Sequence, residues 1–221
     1  VLIRDSADCA IGYQSAIEVL EGLETFKEDY ISHIRRQECT GITGQKIPCV
    51  TLCPAHVDIP GYIAHVQEGS YDKAINLIRR DNPLPTACAM ICEHPCEERC
   101  RRNLIDTSLN IRGVKKYAVD QIAADQVEVP KANPATGKKA AVIGGGPSGM
   151  TAAYYLSLMG HKVTVYEAKE RLGGMLMYGI PNYRFPKDRL DEDMNAILAT
   201  GNIEVKYGVN VGVDLPVEEV H

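Results

Sequence analysis

The first half of the chain has the hydrophobic pattern of helices. Apolar residues recur at helical intervals over residues 16–36, and a segment with two glycines, two prolines and three cysteines follows at residues 39–57. We predict a helix over the first range and an irregular loop over the second. Three more helices are predicted: Asp58 to Gln67, Ser70 to Arg80 and Ile111 to Ala124.

The pattern changes after a segment that contains two prolines and a glycine. Residues 129–137 have little hydrophobic pattern and are predicted to be a linker. Beyond it, predicted strands (139–143, 162–166, 203–207) alternate with predicted helices (148–159, 187–200). This order predicts a parallel sheet. We therefore expect a multidomain α and α/β chain: a helical lead-in (1–38), a helical domain (39–128), the linker, and an incomplete α/β domain (138–221).

Composition and charge exclude several classes of protein. The net charge of −5 argues against a nucleic-acid-binding surface, and no apolar run reaches the ~18 residues of a membrane span. The first residues, VLIRDSADCA, have neither the features of a secretory signal nor an initiator Met. We expect a cytoplasmic location, and a chain that is either a segment of a longer polypeptide or partly ordered.

All eight cysteines lie in the first hundred residues, and seven of them form two groups. The groups are Cys39, Cys49 and Cys53, then Cys88, Cys92, Cys96 and Cys100. Without a secretory signal such thiols stay reduced, and clustered reduced thiols are more often metal ligands than disulfides. Iron–sulfur clusters are the leading interpretation. Zinc sites, or one helix whose thiols face a core, are the alternatives, although Pro95 argues against an uninterrupted helix.

A glycine-rich turn lies between the first strand and the first helix of the α/β domain. Gly144 permits the tight turn, Gly146 lets a pyrophosphate approach the backbone, and Gly149 lets the helix press against the sheet. Glu167, at the end of the next strand, would accept hydrogen bonds from a ribose and repel a 2′-phosphate. The turn therefore predicts FAD or NAD, and not NADP.

A second glycine turn follows Glu167. It resembles the motif of two-dinucleotide-fold flavoproteins, in which backbone and an arginine lie along the FAD, and this resemblance favours FAD. The alternative is a surface loop that needs glycine for positive φ. The candidate cofactor-binding residues are Gly144, Gly146, Pro147, Ser148, Gly149, Glu167, Arg171, Gly173, Gly174, Gly179, Ile180 and Arg184. No catalytic residue is predicted.

Three segments together resemble the glutamate synthase small-subunit family. They are PCVTLCPAHVDIPGYI, DNPLPTACAMICEHPCEERCRR, and the glycine turn with ERLGGMLMYGIPNYRFPK, and the match covers about residues 39–213. The same module occurs in dihydropyrimidine dehydrogenase and in the large subunit of flavin-bifurcating ferredoxin–NADP transhydrogenases. The resemblance implies a helical domain with two [4Fe–4S] clusters, a Rossmann-like FAD domain of which this chain has the first part, and an NAD(P)H domain outside this chain.

The resemblance also implies two sets of cluster ligands. They are Cys49 and Cys100, with Cys39 as a third ligand, and Cys53, Cys92 and Cys96. Two features depart from the family pattern: a lone Cys39 replaces a tight Cys-x-x-Cys pair, and Lys115 occupies the position of a Gln or Glu ligand. A protonated lysine cannot ligate iron. Cys88 is therefore the candidate to complete one cluster.

Residues 8–39 resemble a second family more weakly. DCAIG and the helix ending FKEDYISHIRRQEC are similar to the end of the NADH-binding flavoprotein subunit of complex-I-like dehydrogenases and bifurcating hydrogenases. There, a cysteine matching Cys9 is the last ligand of a [4Fe–4S] cluster whose other ligands lie upstream. The alternative for Cys9 is a buried free cysteine.

These features predict the electron-transfer module of a flavin- and iron–sulfur-dependent NAD(P)H oxidoreductase. It would be part of a multi-subunit complex, with electron bifurcation slightly favoured by the N-terminal resemblance. Other subunits, NAD(P)H bound by a domain outside this chain, and ferredoxin or another electron carrier are the expected partners. Two alternatives stay open: a glutamate synthase small-subunit homologue that supplies electrons to an amidotransferase, and a non-catalytic docking module stabilised by zinc.

Overall fold

The computed structural model describes residues 2–36 and 47–220, and the chain divides into two compact units, residues 1–46 and 47–221. The first unit contains the helices α1 (Leu2–Ser6), α2 (Ala10–Thr25) and α3 (Lys27–Arg36). The prediction of one helix over residues 16–36 is wrong at Phe26, where the backbone leaves the helical region (φ −107°, ψ 22°). Thr25 and Phe26 are both weak helix formers, which favours a break at this point.

The second unit begins with six helices: α4 (Pro48–Leu52), α5 (Ile59–Gln67), α6 (Tyr71–Asp81), α7 (Pro85–Ile91), α8 (Pro95–Glu98) and α9 (Ile111–Gln121). Two 3₁₀ turns span Arg101–Leu104 and Ala124–Gln126. The predicted start of α5 is confirmed, since Asp58 accepts a hydrogen bond from Gly61 N–H (3.0 Å). The helix predicted to reach Ala124 ends at Gln121, because Ile122 is extended (φ −140°, ψ 134°).

A first core holds these helices together. It contains the buried residues Val57, Ile59, Tyr62, Ala74, Ile78, Cys96 and Ile111. The buried Tyr62 hydroxyl donates to the carbonyl of Ile111 (3.1 Å), so this polar group is paired where water does not reach it. This bond fixes α5 against the start of α9.

The α/β part has the predicted parallel sheet. Strands β1 (Lys139–Ile143), β2 (Lys162–Glu167) and β3 (Ile203–Tyr207) pair in parallel with β2 in the centre, and helices α10 (Pro147–Leu158), α11 (Met175–Tyr178) and α12 (Lys187–Leu198) connect them. Parallel neighbours need such crossover connections, because the chain must return to the same end of the sheet before each strand. The carboxyl ends of β1 and β2, where the first glycine turn and Glu167 lie, therefore meet at one edge.

One face of the sheet is covered and the other is largely open. The strand register places Val142, Val165 and Val205 side by side on one face. Val142 and Val165 are buried there with residues of α10 and α12, and Val205 packs against the same cluster. On the opposite face, Ile143 is 60% exposed. The main core of the α/β part thus lies on one side of the sheet.

The main core continues into the cysteine-bearing helices. Leu84 and Ala87, at the start of α7, are buried in the same cluster as Met150 of α10 and Leu190 and Met194 of α12. Helix α7 is therefore part of the packing of the sheet as well as of the helical part.

Residues 129–137 run along the end of α10. Asn133 N–H donates to the carbonyl of Leu158 (2.8 Å), and Thr136 N–H donates to the carbonyl of Gly160 (3.0 Å). The predicted linker thus has its own contacts with the α/β part. Across the described ranges, no helix combines the length and the apolar character needed to cross a bilayer.

Candidate cofactor site

The first glycine turn leaves the end of β1 and enters α10. Gly144 has φ +96°, a conformation that favours glycine. A side chain at Gly149 would overlap the carbonyl oxygen of Gly144 and lie 3.1 Å from Val142 Cγ1. Pro147 and Ser148 form the first turn of α10. Only glycine at position 149 lets this helix approach the strand so closely.

Glu167 lies at the end of β2, beside this turn. It is 7% exposed, and its two oxygens accept hydrogen bonds from Gly145 N–H (2.7 Å) and Lys169 N–H (2.9 Å). A carboxylate offers about four acceptor positions, so each oxygen can take a further donor such as a ribose hydroxyl. The two backbone bonds fix the carboxylate where a nucleotide on the turn would place its ribose.

The second glycine turn faces the first, backbone to backbone. Gly173 N–H donates to the carbonyl of Gly145 (2.8 Å). Gly174 has φ +48°, and a Cβ at this position would lie 2.9 Å from the Cα of Gly146. The two turns therefore enclose a strip of backbone without side chains, a surface suited to close approach of a pyrophosphate.

The other candidate residues lie around α11. Gly179 ends this helix and Ile180 follows, half-buried, while Arg184 is exposed. Arg171 is also exposed, and its guanidinium pairs with Asp191 of α12 (2.5 Å). This pairing turns the Arg171 side chain toward α12, so a phosphate contact would require Arg171 to exchange its partner.

Sequence reasoning missed Lys187, which fixes α11 and the residues that directly follow it. Its ammonium donates to the carbonyl of Leu176 (2.6 Å) and to the carbonyl of Ile180 (2.5 Å). The only signal in the sequence is its position at the start of a predicted helix, which does not indicate a contact with the loop before it.

The structure describes six of the seven grouped cysteines, and Cys39 lies outside the described residues. Cys49 lies in α4 with Cys53 directly after it, Cys88 lies in α7 with Cys92 directly after it, Cys96 lies in α8, and Cys100 lies just beyond α8. The alternative of one long helix through the second group is wrong. The backbone is extended at Cys92 (φ −64°, ψ 136°) and left-handed at His94 (φ +44°), just before Pro95.

Several of the described thiols lie close enough to one another to shift each other's pKa. Burial raises the pKa of Cys49, and the nearby Cys100 raises it further. Burial raises the pKa of Cys96 to about 11, with Cys53 and Cys92 among the neighbours that add to this increase. These neighbours belong to the ligand sets that the resemblance implies, and Tyr62 lies near Cys49 of one set and near Cys53 and Cys96 of the other. Which sulfurs bind iron stays a prediction.

The chemistry of the donor set fits iron–sulfur clusters, because cysteine thiolates are the ligands that hold them. Within residues 2–36 and 47–220, no three Cys, His, Asp or Glu side chains converge as the ligands of a single metal ion do. Two sulfurs accept N–H bonds, Cys92 from His94 N–H (3.3 Å) and Cys88 from Asn82 Nδ2 (3.0 Å), and such bonds stabilise a thiolate ligand.

Lys115 of α9 lies beside these thiols. Its side chain is buried (8% exposed), and its ammonium lies 6.0 Å from the centre of the Tyr62 ring. Burial raises the pKa of Cys88 and of Cys96, and the Lys115 charge partly opposes this increase in both. A positive charge thus lies near the second set of predicted ligands, at the position where the resemblance implies a Gln or Glu ligand.

Cys9 belongs to the first unit. It is exposed, and its sulfur accepts a hydrogen bond from Gly12 N–H (3.4 Å) at the start of α2. The alternative of a buried free cysteine is therefore wrong. A ligand role for Cys9 stays a prediction.

Comparison with known proteins gives two family matches. Residues 18–127 match the family described as dihydropyrimidine dehydrogenase domain II, 4Fe-4S cluster. Residues 142–207 match the family described as NAD(P)-binding Rossmann-like domain. The cysteine-bearing helices and the glycine turns therefore fall in two recognised regions, in the predicted order.

Several curated proteins are similar over most of this chain. NADPH-Fe(3+) oxidoreductase subunit beta of Geobacter sulfurreducens (strain DL-1 / KN400) is 38% identical over 96% of this chain and 33% of its own length. NADP(+)-dependent formate dehydrogenase subunit beta of Moorella thermoacetica is 37% identical over 78% of this chain and 27% of its own length. Glutamate synthase (NADPH) small chain of Mycobacterium tuberculosis (strain CDC 1551 / Oshkosh) is 34% identical over 87% of this chain and 40% of its own length. This chain spans about a third of the length of the first relative. These regions and relatives confirm the predicted resemblance: the chain is similar to members of the glutamate synthase small-subunit family over most of its length.

Proposed function

We propose that this chain is the electron-transfer module of a flavin- and iron–sulfur-dependent NAD(P)H oxidoreductase. Bound FAD would take two electrons from NAD(P)H, and the clusters would pass them on one at a time. The observation that supports this most is the pair of facing glycine turns beside Glu167, in the same compact unit as six of the cysteines.

FAD is the nucleotide proposed for the glycine turns. The bare backbone of Gly146 and Gly174 would accept the pyrophosphate, with the N–H groups and the positive dipole end of α10 toward its charge. Glu167 would bind the ribose. Because a carboxylate repels a 2′-phosphate, the NADPH in the names of two relatives would need a different site in this protein.

Two [4Fe–4S] clusters are proposed for the cysteine-bearing helices. The proposed ligands are Cys39, Cys49 and Cys100 for one cluster and Cys53, Cys92 and Cys96 for the other. Cys88, near Cys92 and Lys115, is the candidate for a missing ligand, and its bond from Asn82 supports a thiolate there. The Lys115 charge would favour the reduced form of the nearer cluster.

Partner subunits are proposed for the complete protein. Two relatives are named as beta subunits, and a third as the small chain of glutamate synthase, which supports both the leading proposal and the amidotransferase alternative. Ferredoxin or another electron carrier as acceptor, a bifurcating complex and a cytoplasmic location belong to the same proposal.

Purification without oxygen, followed by measurement of iron, sulfide, zinc and flavin, tests the proposal. We expect about eight irons and eight sulfides per chain, as two [4Fe–4S] clusters require, together with one flavin. A Cys92→Ser variant should lose about half of the iron, and Cys88→Ser should lose iron only if Cys88 is a ligand. Colourless protein with bound zinc and no flavin would contradict the proposal and favour the docking module.

A further inference from the structure

Helix α12 holds the second glycine turn in place. At the start of α12, the Lys187 ammonium donates to the carbonyls of Leu176 and Ile180, in the segment that follows this turn. Leu190, three residues further on, is fully buried against Gly173, where an added Cβ would lie 2.6 Å from Leu190 Cδ2. The first half of α12 is therefore fixed to the proposed flavin site.

The middle of α12 holds helix α7 through Asp193. This side chain is fully buried, and its two oxygens accept hydrogen bonds from Thr86 N–H (3.2 Å) and Ala87 N–H (2.8 Å). Both N–H groups lie in the first turn of α7, where the helix itself supplies no acceptor. Cys88 lies in the same helix and Cys92 directly follows it. A residue of the nucleotide-binding part thus caps a helix of the cysteine-bearing part.

A second residue of α12 reaches α9. Arg189 Nη2 donates to the carbonyl of Val119 (2.9 Å) and to Asp120 Oδ1 (3.1 Å), near the end of α9. Lys115 lies one turn earlier in that helix. One helix therefore makes hydrogen bonds to the loop after the second glycine turn, to the Cys88 helix and to the Lys115 helix.

An aspartate at position 193 is better explained by its positioning of the neighbouring helices than by a contribution to the stability of the fold. A buried carboxylate loses its hydration, and an apolar side chain of similar size often stabilises a fold as well or better. Burial raises the pKa of Asp193 to about 6, while the N–H groups of α7 and the buried Arg79 guanidinium (3% exposed) favour its charged form. A fully hydrogen-bonded buried group admits few arrangements of its partners.

We infer that Asp193 and Arg189 are positioning residues, which fix the cysteine-bearing helices relative to the second glycine turn and so set the distance between flavin and cluster. The inference rests on the proposed function. The step that would depend on this distance is the transfer of one electron from the bound flavin, reduced by NAD(P)H, to an oxidised cluster.

The test compares Asp193→Asn with Asp188→Asn, which is the same change at an exposed position of α12. Each full chain is purified without oxygen, and its flavin and iron are measured first. A flash-generated deazaflavin radical then reduces the flavin, and absorbance follows reduction of the cluster. We expect loaded Asp193→Asn to lose part of the wild-type transfer rate, because the loss of the carboxylate that caps the first turn of α7 lets this helix shift relative to α12. Its cluster should also show an altered EPR spectrum, whereas Asp188→Asn should match the wild type.

A milder variant is used if Asp193→Asn does not bind flavin and iron. Arg189→Ala removes the half-buried link to α9 and, within α12 itself, the exposed-side ion pair with Glu192, and slower transfer with full flavin and iron content is again expected. Loaded variants with the wild-type rate and EPR spectrum would overturn the inference and leave the proposed function intact. A wild-type chain without flavin or iron would overturn both.

Discussion

Replacement of Gly149 by Ala tests the packing that forms the first glycine turn. On helix propensity alone, the change inside α10 would stabilise the helix by up to about 1 kcal/mol. The new methyl group, however, would overlap the carbonyl oxygen of Gly144 and lie 3.1 Å from Val142 Cγ1. Relief of this overlap requires α10 and β1 to separate by about 1 Å, and overpacking of this kind costs roughly 1–3 kcal/mol or more. We therefore expect a net loss of about 2 kcal/mol in the free energy of unfolding, together with weaker flavin binding.

Denaturant unfolding and flavin content measure the two effects. Gly22→Ala is the matched control, because an added Cβ at Gly22 in α2 meets no atom within 4 Å. The control should keep its flavin and, if anything, gain stability, up to about 1 kcal/mol. A Gly149→Ala chain that unfolds at the wild-type denaturant concentration and binds flavin normally would refute the argument from close packing.

Three further predictions concern charged side chains. Glu167→Gln keeps the shape of the side chain but removes the negative charge of the carboxylate, one of whose oxygens accepts Gly145 N–H. Flavin affinity measured by titration should therefore fall roughly 10- to 100-fold. An unchanged affinity would exclude Glu167 from the site. Lys115→Glu should lower the potential of the nearer cluster in an EPR-monitored redox titration, because a cation favours the reduced form, whereas Lys116→Glu at an exposed position should change it less. Burial raises the pKa of Asp193 to about 6, so its stabilising contribution is complete below the ordinary Asp pKa of ~3.9 and is lost as the pH rises through about 6. The free energy of unfolding of the wild type, measured relative to that of Asp193→Asn, should therefore fall as the pH rises between these two values and stay constant above them. If this free-energy difference does not change with pH, the raised pKa is contradicted.

Local signals were enough to predict the strands and most of the longer helices, but the prediction of a loop over residues 39–57 is wrong at Pro48–Leu52, where α4 begins with a proline in its first turn. The alternation after residue 137 predicts strands that agree with the observed ones to within one residue, and the capping role of Asp58 is confirmed by its bond to Gly61. The glycine turn was equally predictable, because a positive φ at Gly144 and close packing at Gly149 are requirements of the residues themselves.

Contacts between distant segments were not predictable from local patterns. Asp193 and Thr86 are 107 positions apart, and an aspartate within a predicted helix is usually exposed to solvent. One signal was present but missed. Asp193 lies in the apolar stripe formed by Leu190, Met194 and Ile197, where a charged residue indicates a buried partner.

The cysteine spacing predicted two groups along the sequence, but it did not predict which cysteines lie close together in space. A strict four-residue step suggests one helical face, yet the reversal at His94 separates Cys92 from Cys96 in secondary structure. The approach of Cys49 to Cys100 depends on the packing of α4 against α8, which no short segment of sequence determines.

The open face of the parallel sheet has a practical consequence for work on this chain in solution. Such sheets are normally covered on both faces, whereas here Ile143 remains exposed, in register with Tyr166 and Lys206 of the neighbouring strands. At the high concentrations used for spectroscopy, molecules are expected to self-associate through this surface. Light scattering should therefore accompany every kinetic measurement, and dilute samples without excluded osmolytes are the safer starting condition, because such osmolytes strengthen apolar burial.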